Sequence, residues 1–204
     1  MLYLASQSPR RRQLLEQIGM NYGTVNVDVP EVRAPNEPPE DYVSRVAREK
    51  AGAGLLALSG VRDAVVLGAD TEVVLDDEVF GKPRDAVQAA AMLRRLSGRT
   101  HRVISTVWCL SAGREEHVLQ LSDVTFSPLS DDDISRYVAS GESMGRAGAY
   151  AIQGRAAAFI SELRGSYSGV MGLPLFETAA LLRRFGIAPR TCVLQVDKSG
   201  SPKL

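Results

Sequence analysis

Residues 63–83 read DAVVLGADTEVVLDDEVFGKP, and this stretch decides the fold class. Val65 to Leu67 is an apolar run that reads as a buried strand. Gly68 and Ala69 end it, and small residues there let another group approach the backbone closely. Val73 to Leu75 then precedes an acidic turn at Asp76–Asp77, which gives a strand, turn, strand pattern.

Upstream, residues 2 to 5 read as a short strand and Pro9 to Ile18 as a helix with Leu14, Leu15 and Ile18 on one face. Pro9 in the first turn and Gly19 just past the end are the expected helix punctuation. The segment YGTVNVDVPEV alternates apolar and polar residues and predicts a strand reaching Val29. RAPNEPPE is a loop, and from Pro39 the pattern PEDYVSRVAREKAGAGLLAL is helical, with Tyr42, Val43, Val46, Ala47 and Ala51 inward. Downstream, RDAVQAAAMLRRLSG reads as a helix closed by Gly98. THRVISTVWCLSAG and EEHVLQLSDVTFSPL read as a long hairpin about Ala112–Gly113. Helices are expected over Asp131 to Ser140 and Leu173 to Phe185, and a frayed tail after about residue 190. Strands and helices mix without a strict βαβ rhythm, which gives an α/β or α+β fold with a mixed sheet.

The 204 residues suit one domain, or two small lobes sharing a core. With 24 basic and 24 acidic residues, no global field draws a nucleic acid polymer or an anionic membrane, although a local basic pocket for a small anion is compatible with this balance. No apolar run approaches the roughly 18 residues of a membrane span, and the N-terminus lacks a signal-peptide core, so a cytoplasmic location is expected. Cys109 and Cys192 are not spaced for zinc, and Cys109 lies in an apolar run that suits an inert buried thiol.

The stretch LASQSPRRRQLLEQIG, residues 4–19, places Arg10, Arg11 and Arg12 at the mouth of a helix. Cations are disfavoured there by the helix dipole. They are either solvated charge or partners of a strongly anionic group held at the helix start. Asp70 and Thr71 follow the buried strand, where a carboxylate suits a catalytic base or metal ligand, or else an Asx-type turn. Glu31 and Asp28 flank Pro30, and with Asp70 could hold a divalent cation. Lys82 in FGKPRD is weak evidence alone. Gln153, in AGAYAIQGRAAAFI, could pair with a nucleobase edge or satisfy a turn. GSYSGVMGLP, residues 165–174, has the composition of a phosphate-cradling loop without Walker or dinucleotide spacing. His101 and His117 show no metal-cluster spacing, and His117 suits a solvated position. Arg-rich helix start, Glu31, Lys50, Asp70 and Lys82 together suit a polyphosphate with a bound divalent metal.

The chain resembles the Maf family of nucleotide pyrophosphatases through LASQSPRRRQLL, REKA, GADT, GKPRDAVQAAAMLRRLSGRTHRV, YVASGE, AGAYAIQG and GSYSGVMGLPL, in order. The resemblance implies an elongated mixed β-sheet with flanking helices, two lobes around a central nucleotide-binding cleft, in a Maf/ITPase-like α/β domain over residues 1–204. It implies cleavage of nucleoside triphosphates to monophosphate and pyrophosphate with Mg2+ or Mn2+, and a homodimer. By position, Ser6, Arg10 and Arg11 would hold phosphates, with Arg12 solvated. Glu31, Lys50 and Lys82 would line the cleft, Glu31 and Asp70 would meet the metal, and Asp70 would be the general base. Arg10, Thr71 and Gln153 match the dTTP/UTP branch rather than the 7-methyl-GTP branch. Removal of non-standard nucleotides and an influence on cell division are further implications. The alternative is a non-catalytic nucleotide-sensing or septum-regulating interaction protein. The chain departs from the family pattern at Gly145–Arg146, usually Asp-Lys, and in GRAAAF, usually richer in glycine.

Overall fold

A computed structural model describes residues 1–189; the expected tail after about residue 190, with Cys192, lies outside the described residues. In chain order the elements are β1 (Leu2–Leu4), α1 (Pro9–Gln17), β2 (Gly23–Thr24), α2 (Pro39–Ala57), β3 (Val65–Leu75), β4 (Glu78–Phe80) and α3 (Ala86–Leu96). They continue with β5 (Thr100–Ser111), β6 (Arg114–Phe126), α4 (Asp131–Ala139), β7 (Ile160–Arg164), α5 (Tyr167–Met171) and α6 (Leu175–Arg184). The fold is α/β with a seven-stranded mixed sheet ordered β2-β1-β3-β5-β6-β7, and β4 pairs with β3 off this path. β1 runs parallel to β2 and β3, and the remaining pairs are antiparallel.

The opening stretch behaves differently from its sequence pattern in one respect. Val65–Leu75 is a single strand, so Gly68–Ala69 does not end it. Gly68 is a packing position: a Cβ there would lie 2.4 Å from Ala47 O and 2.6 Å from Ala51 N. The missing side chain lets the α2 backbone rest directly on β3. Beyond Leu75, Asp76 and Asp77 both adopt positive φ, 52° and 62°, forming the two-residue turn that tightly joins β3 to β4.

Residues facing α2 alternate along β3 with residues facing away. Val74 packs with Tyr42, Val43, Val46 and Ile104 on the α2 side. On the opposite face two cores lie end to end. Val65, Leu67 and Ala69 pack with β1, α1 and α6, whereas Val73 and Leu75 pack with α3, α4 and Tyr150. β3 and β5 run through both.

One further sequence expectation is corrected here, and one strand was not foreseen. The strand expected to reach Val29 pairs only at Gly23–Thr24, because its partner β1 ends at Leu4 and offers no further backbone. β7, which has no clear alternation in sequence, completes the sheet against β6. The hairpin about Ala112–Gly113 is present, and Cys109 is buried, with burial pushing its thiol up to about 12.

Candidate active site

β1 pairs with Val65–Leu67 and β4 with Val73–Leu75, so neither covers Gly68–Glu72 on that side of β3. A cleft of about 590 Å³ opens at this gap, a size suited to a small-molecule ligand. Ser6, Arg10, Arg11, Glu31, Lys50, Asp70, Thr71, Lys82 and Gln153 all line it, as does Asp28.

The Arg-rich loop and α1 form one wall. Ser8 caps α1 without a side-chain bond to the helix, so the first-turn amides are not capped by it. Arg10 Nε donates to Met171 O at 3.3 Å and Arg11 Nε to Gly172 O at 2.9 Å. Arg11 Nη1 also donates to Ser6 Oγ at 3.3 Å. Burial lowers the Arg11 pKa, and the nearby charges of Asp70, Glu31 and Glu72 oppose that shift. Arg12 is exposed and, among the described residues, its side chain reaches only Gln7 O. Within the segment 165–174, the carbonyls of Met171 and Gly172 accept from Arg10 and Arg11 and hold them in place.

Across β3, an ion-pair chain runs from Lys82 to Asp70. Lys82 Nζ lies 2.7 Å from Glu31 Oε2, and Lys50 Nζ lies 2.5 Å from Glu31 Oε1 and 2.8 Å from Asp70 Oδ1. Lys50 comes from α2, directly over β3. Burial works to raise the Glu31 carboxyl, but the two ammonium groups outweigh it and hold the group at about 2. Asp70 is 5% exposed, and its Oδ2 is buried without a hydrogen-bond partner among the described residues.

Glu72, which sequence analysis passed over, lies two residues along the same face of β3. It is 6% exposed, with Oε2 buried and unpartnered among the described residues. Burial, reinforced by the charges of Asp70 and Glu31, raises its pKa well above the ordinary carboxylate value. The period-two spacing from Asp70 was the available signal.

Among the described residues no three His, Cys, Asp or Glu side chains converge as a ready cation site. The donor chemistry still fits a divalent metal. Asp70 Oδ2 is an unpartnered carboxylate oxygen in the cleft, Glu31 stands nearby through Lys50, and Mg2+ commonly takes one or two carboxylates plus substrate phosphates.

Away from the charged end, Val73, Val103, Tyr150, Ala151 and Val170 give the cleft an apolar wall. Thr71 belongs to this face. Ser105 Oγ donates to Gly169 O at 2.7 Å, so the 3.0 Å contact between Thr71 Oγ1 and Ser105 Oγ has Thr71 as its donor. Thr71 is therefore left with lone pairs for a ligand N–H.

The Gln153 loop is held by Glu142, another residue sequence analysis missed. Its two carboxylate oxygens accept from Arg155 N at 3.1 and 2.8 Å. A Cβ on Gly154 would stand 2.2 Å from Glu142 Oε1, so a side chain there would push the Glu142 carboxylate from its place. Beneath the loop, His101 Nε2 and Tyr150 Oη are 2.8 Å apart, and burial pushes His101 down to about 4. His117, in contrast, is exposed and stacked on Trp108.

A family model described as Maf-like protein matches residues 1–185. A dTTP/UTP pyrophosphatase from Xanthomonas euvesicatoria pv. vesicatoria is 57% identical over 188 residues, covering 91% of this chain and 99% of that protein. A nucleoside triphosphate pyrophosphatase from Xylella fastidiosa is 58% identical over 189 residues, covering 91% of this chain and 98% of that protein. Among solved structures, the Staphylococcus aureus Ham1 protein overlaps 61% of this chain and 71% of its own, at 11% identity and a TM-score of 0.41.

Proposed function

This chain belongs to the Maf-like protein family, and from that premise we propose that its cleft hydrolyses dTTP and UTP to the monophosphate and pyrophosphate. The observation that carries this reading is Asp70 Oδ2, a buried carboxylate oxygen without a partner among the described residues, in a cleft that also holds three arginines and two lysines. Arg10 and Arg11, with the first-turn amides of α1, bind phosphate oxygens, whose charge outweighs the local dipole. Lys50 orients Asp70 through Oδ1 and leaves Oδ2 to take a proton from water. The water oxygen bonds to the α-phosphorus, the bond from that phosphorus to the α–β bridging oxygen breaks, and pyrophosphate leaves with the electron pair. Glu31 and Asp70 would hold the divalent cation, Mg2+ or Mn2+. When bound, it neutralises phosphate charge and assists water activation.

The apolar wall suits a base, and the acceptor face of Thr71 complements the imide N–H of thymine or uracil. Gln153 offers both a donor and an acceptor to the same edge. Among the described residues no helix is long and apolar enough to cross a membrane. A cytoplasmic location and a homodimer belong to this proposal and rest on the family resemblance.

The test is to incubate the purified chain with dTTP or UTP and each metal, and to separate the products by ion-exchange chromatography. Monophosphate and pyrophosphate in equal amounts are expected. Diphosphate with free phosphate as first products would overturn the bond assignment, and absence of turnover would leave a nucleotide-sensing protein.

A further inference from the structure

Five cationic side chains line the cleft, and four have protein partners. Arg10 and Arg11 rest on the carbonyls of Met171 and Gly172, while Lys50 and Lys82 pair with Glu31 and Asp70. Arg146 is the exception. Among the described residues its side chain makes no hydrogen bond or ion pair, and its Nε is buried without a partner.

The backbone around Arg146 is well fixed. Ala149 N donates to Arg146 O at 3.1 Å, and Gly148 N donates to Gly81 O at 3.2 Å, beside Lys82. Ala147 and Ala149 pack with the core of Val73, Leu75 and α3. Arg146 therefore enters the cleft from the α3 and α4 side, whereas Arg10 and Arg11 enter from α1.

A surface arginine with its head in water needs no ligand. Arg146 differs because one of its donors is removed from water and given no acceptor, and burial lowers its pKa. An anion with several oxygens is the ligand that relieves this, since a planar guanidinium can donate two parallel bonds to a phosphate group.

We infer that Arg146 is a substrate-binding residue that grips the polyphosphate from the side of the cleft opposite Arg10 and Arg11. The inference rests on reading the cleft as a nucleoside triphosphate site. A planar guanidinium would hold phosphate oxygens by geometry as well as by charge.

The experiment is calorimetric titration of the full chain with inorganic tripolyphosphate, alongside dTTP turnover. Arg146→Gln, Arg146→Lys and the exposed control Arg12→Gln are compared, each checked for an unchanged melting transition. Arg146→Gln should weaken tripolyphosphate binding roughly tenfold to a hundredfold, as expected for a lost charge-assisted contact. Arg146→Lys should recover part of that loss, and Arg12→Gln should change binding less than about twofold. Wild-type binding by Arg146→Gln overturns the inference, as does an equal loss in Arg12→Gln, which would make the effect bulk charge. Impaired dTTP turnover with intact tripolyphosphate binding also overturns it, because Arg146 would then touch the nucleoside. A wild-type chain that binds tripolyphosphate with the expected Arg146 dependence yet hydrolyses no dTTP would sink the functional reading and leave Arg146 as an anion ligand.

Discussion

The start of α1 and the loop from Glu142 to Arg155 face the same cleft but are held in opposite ways. At α1, the side chains that would meet the ligand are themselves anchored, with both Arg10 and Arg11 docked on carbonyls of the 171–172 segment. In the loop the backbone is anchored instead, by Glu142 on Arg155 N and by Gly148 N on Gly81 O, while Gln153 and Arg146 have no partner side chain among the described residues. Anchored side chains lose little entropy when a ligand arrives, so the α1 wall suits a feature every substrate shares. Unanchored side chains on a fixed backbone can be exchanged without disturbing the fold, so Gln153 suits discrimination, whereas Arg146 would add a second grip on the shared polyphosphate.

The largest expected effect comes from the strand both regions share. Asp70→Asn should lower kcat by about 10²–10⁴-fold, because it removes the acceptor for the water proton while keeping size and most hydrogen bonding. Binding of a non-hydrolysable dTTP analogue should persist. A variant with normal kcat would remove Asp70 from the chemistry and leave the two regions without a common reactive centre.

A pH experiment isolates the loop side. His101 is held near 4 by burial when folded, against 6.5 when exposed, so the native state is neutral and the unfolded chain takes up the proton. Stability should therefore fall as pH drops from about 6.5 and level off below about 4, by up to roughly 3 kcal/mol. Glu72 acts in the reverse sense, since a carboxyl raised in the folded state favours folding at low pH. The informative quantity is thus the difference between wild type and His101→Gln in urea unfolding at pH 7.5 and 4.5. The variant should have lost part of the decline, and identical slopes would refute the assignment.

On the α1 side, Arg10→Ala and Arg11→Ala should each cost about 1.5–3 kcal/mol in transition-state binding, or roughly tenfold to a hundredfold in kcat/KM, for every triphosphate alike. Arg12→Ala should be nearly silent. If Arg12 proves the most damaging of the three, the register of the loop is wrong by one.

The smallest effect should be the most selective. Gln153→Ala should lower kcat/KM for dTTP and UTP by about 1–3 kcal/mol, more than for purine triphosphates. Glu142→Ala should move the same ratio through the loop alone, leaving tripolyphosphate affinity unchanged, and Glu142→Gln should restore part of it. Equal losses for dTTP and GTP in both variants would erase the contrast between the two regions.

The cationic wall of the cleft was legible in the sequence because it breaks a local rule: arginines crowd a helix start that repels them. Asp70 was legible as a cleft carboxylate but misplaced in structure, since Gly68–Ala69 imitates a strand end when the glycine serves the packing of α2. The pairing of Glu31 with Lys50 and Lys82 could not be read from spacing, because it joins a loop, a helix and the segment after β4. Glu142 and Ser105 were invisible for a related reason. Each acts through a neighbour, Arg155 N or Thr71, supplied by loop closure or strand register. Arg146 was noticed only as a departure, and its lack of partners emerges only when the whole cleft is assembled.

The uncovered stretch of β3 has a consequence for how the protein avoids polymerising. An exposed strand edge is a template for a strand from another chain. Here the bare edge, Gly68–Glu72, is bracketed by β1 at one end and β4 at the other, giving a notch of roughly 17 Å at about 3.4 Å per residue. Charged groups from Glu31, Lys50 and Lys82 stand around that notch. An invading strand would have to be short and tolerate those charges, whereas a small charged ligand meets no such barrier. The tight Asp76–Asp77 turn, by keeping β4 in place, therefore also guards against edge-to-edge strand pairing. A lesion that unpairs β4 should yield a protein that aggregates, in addition to one that fails to turn over.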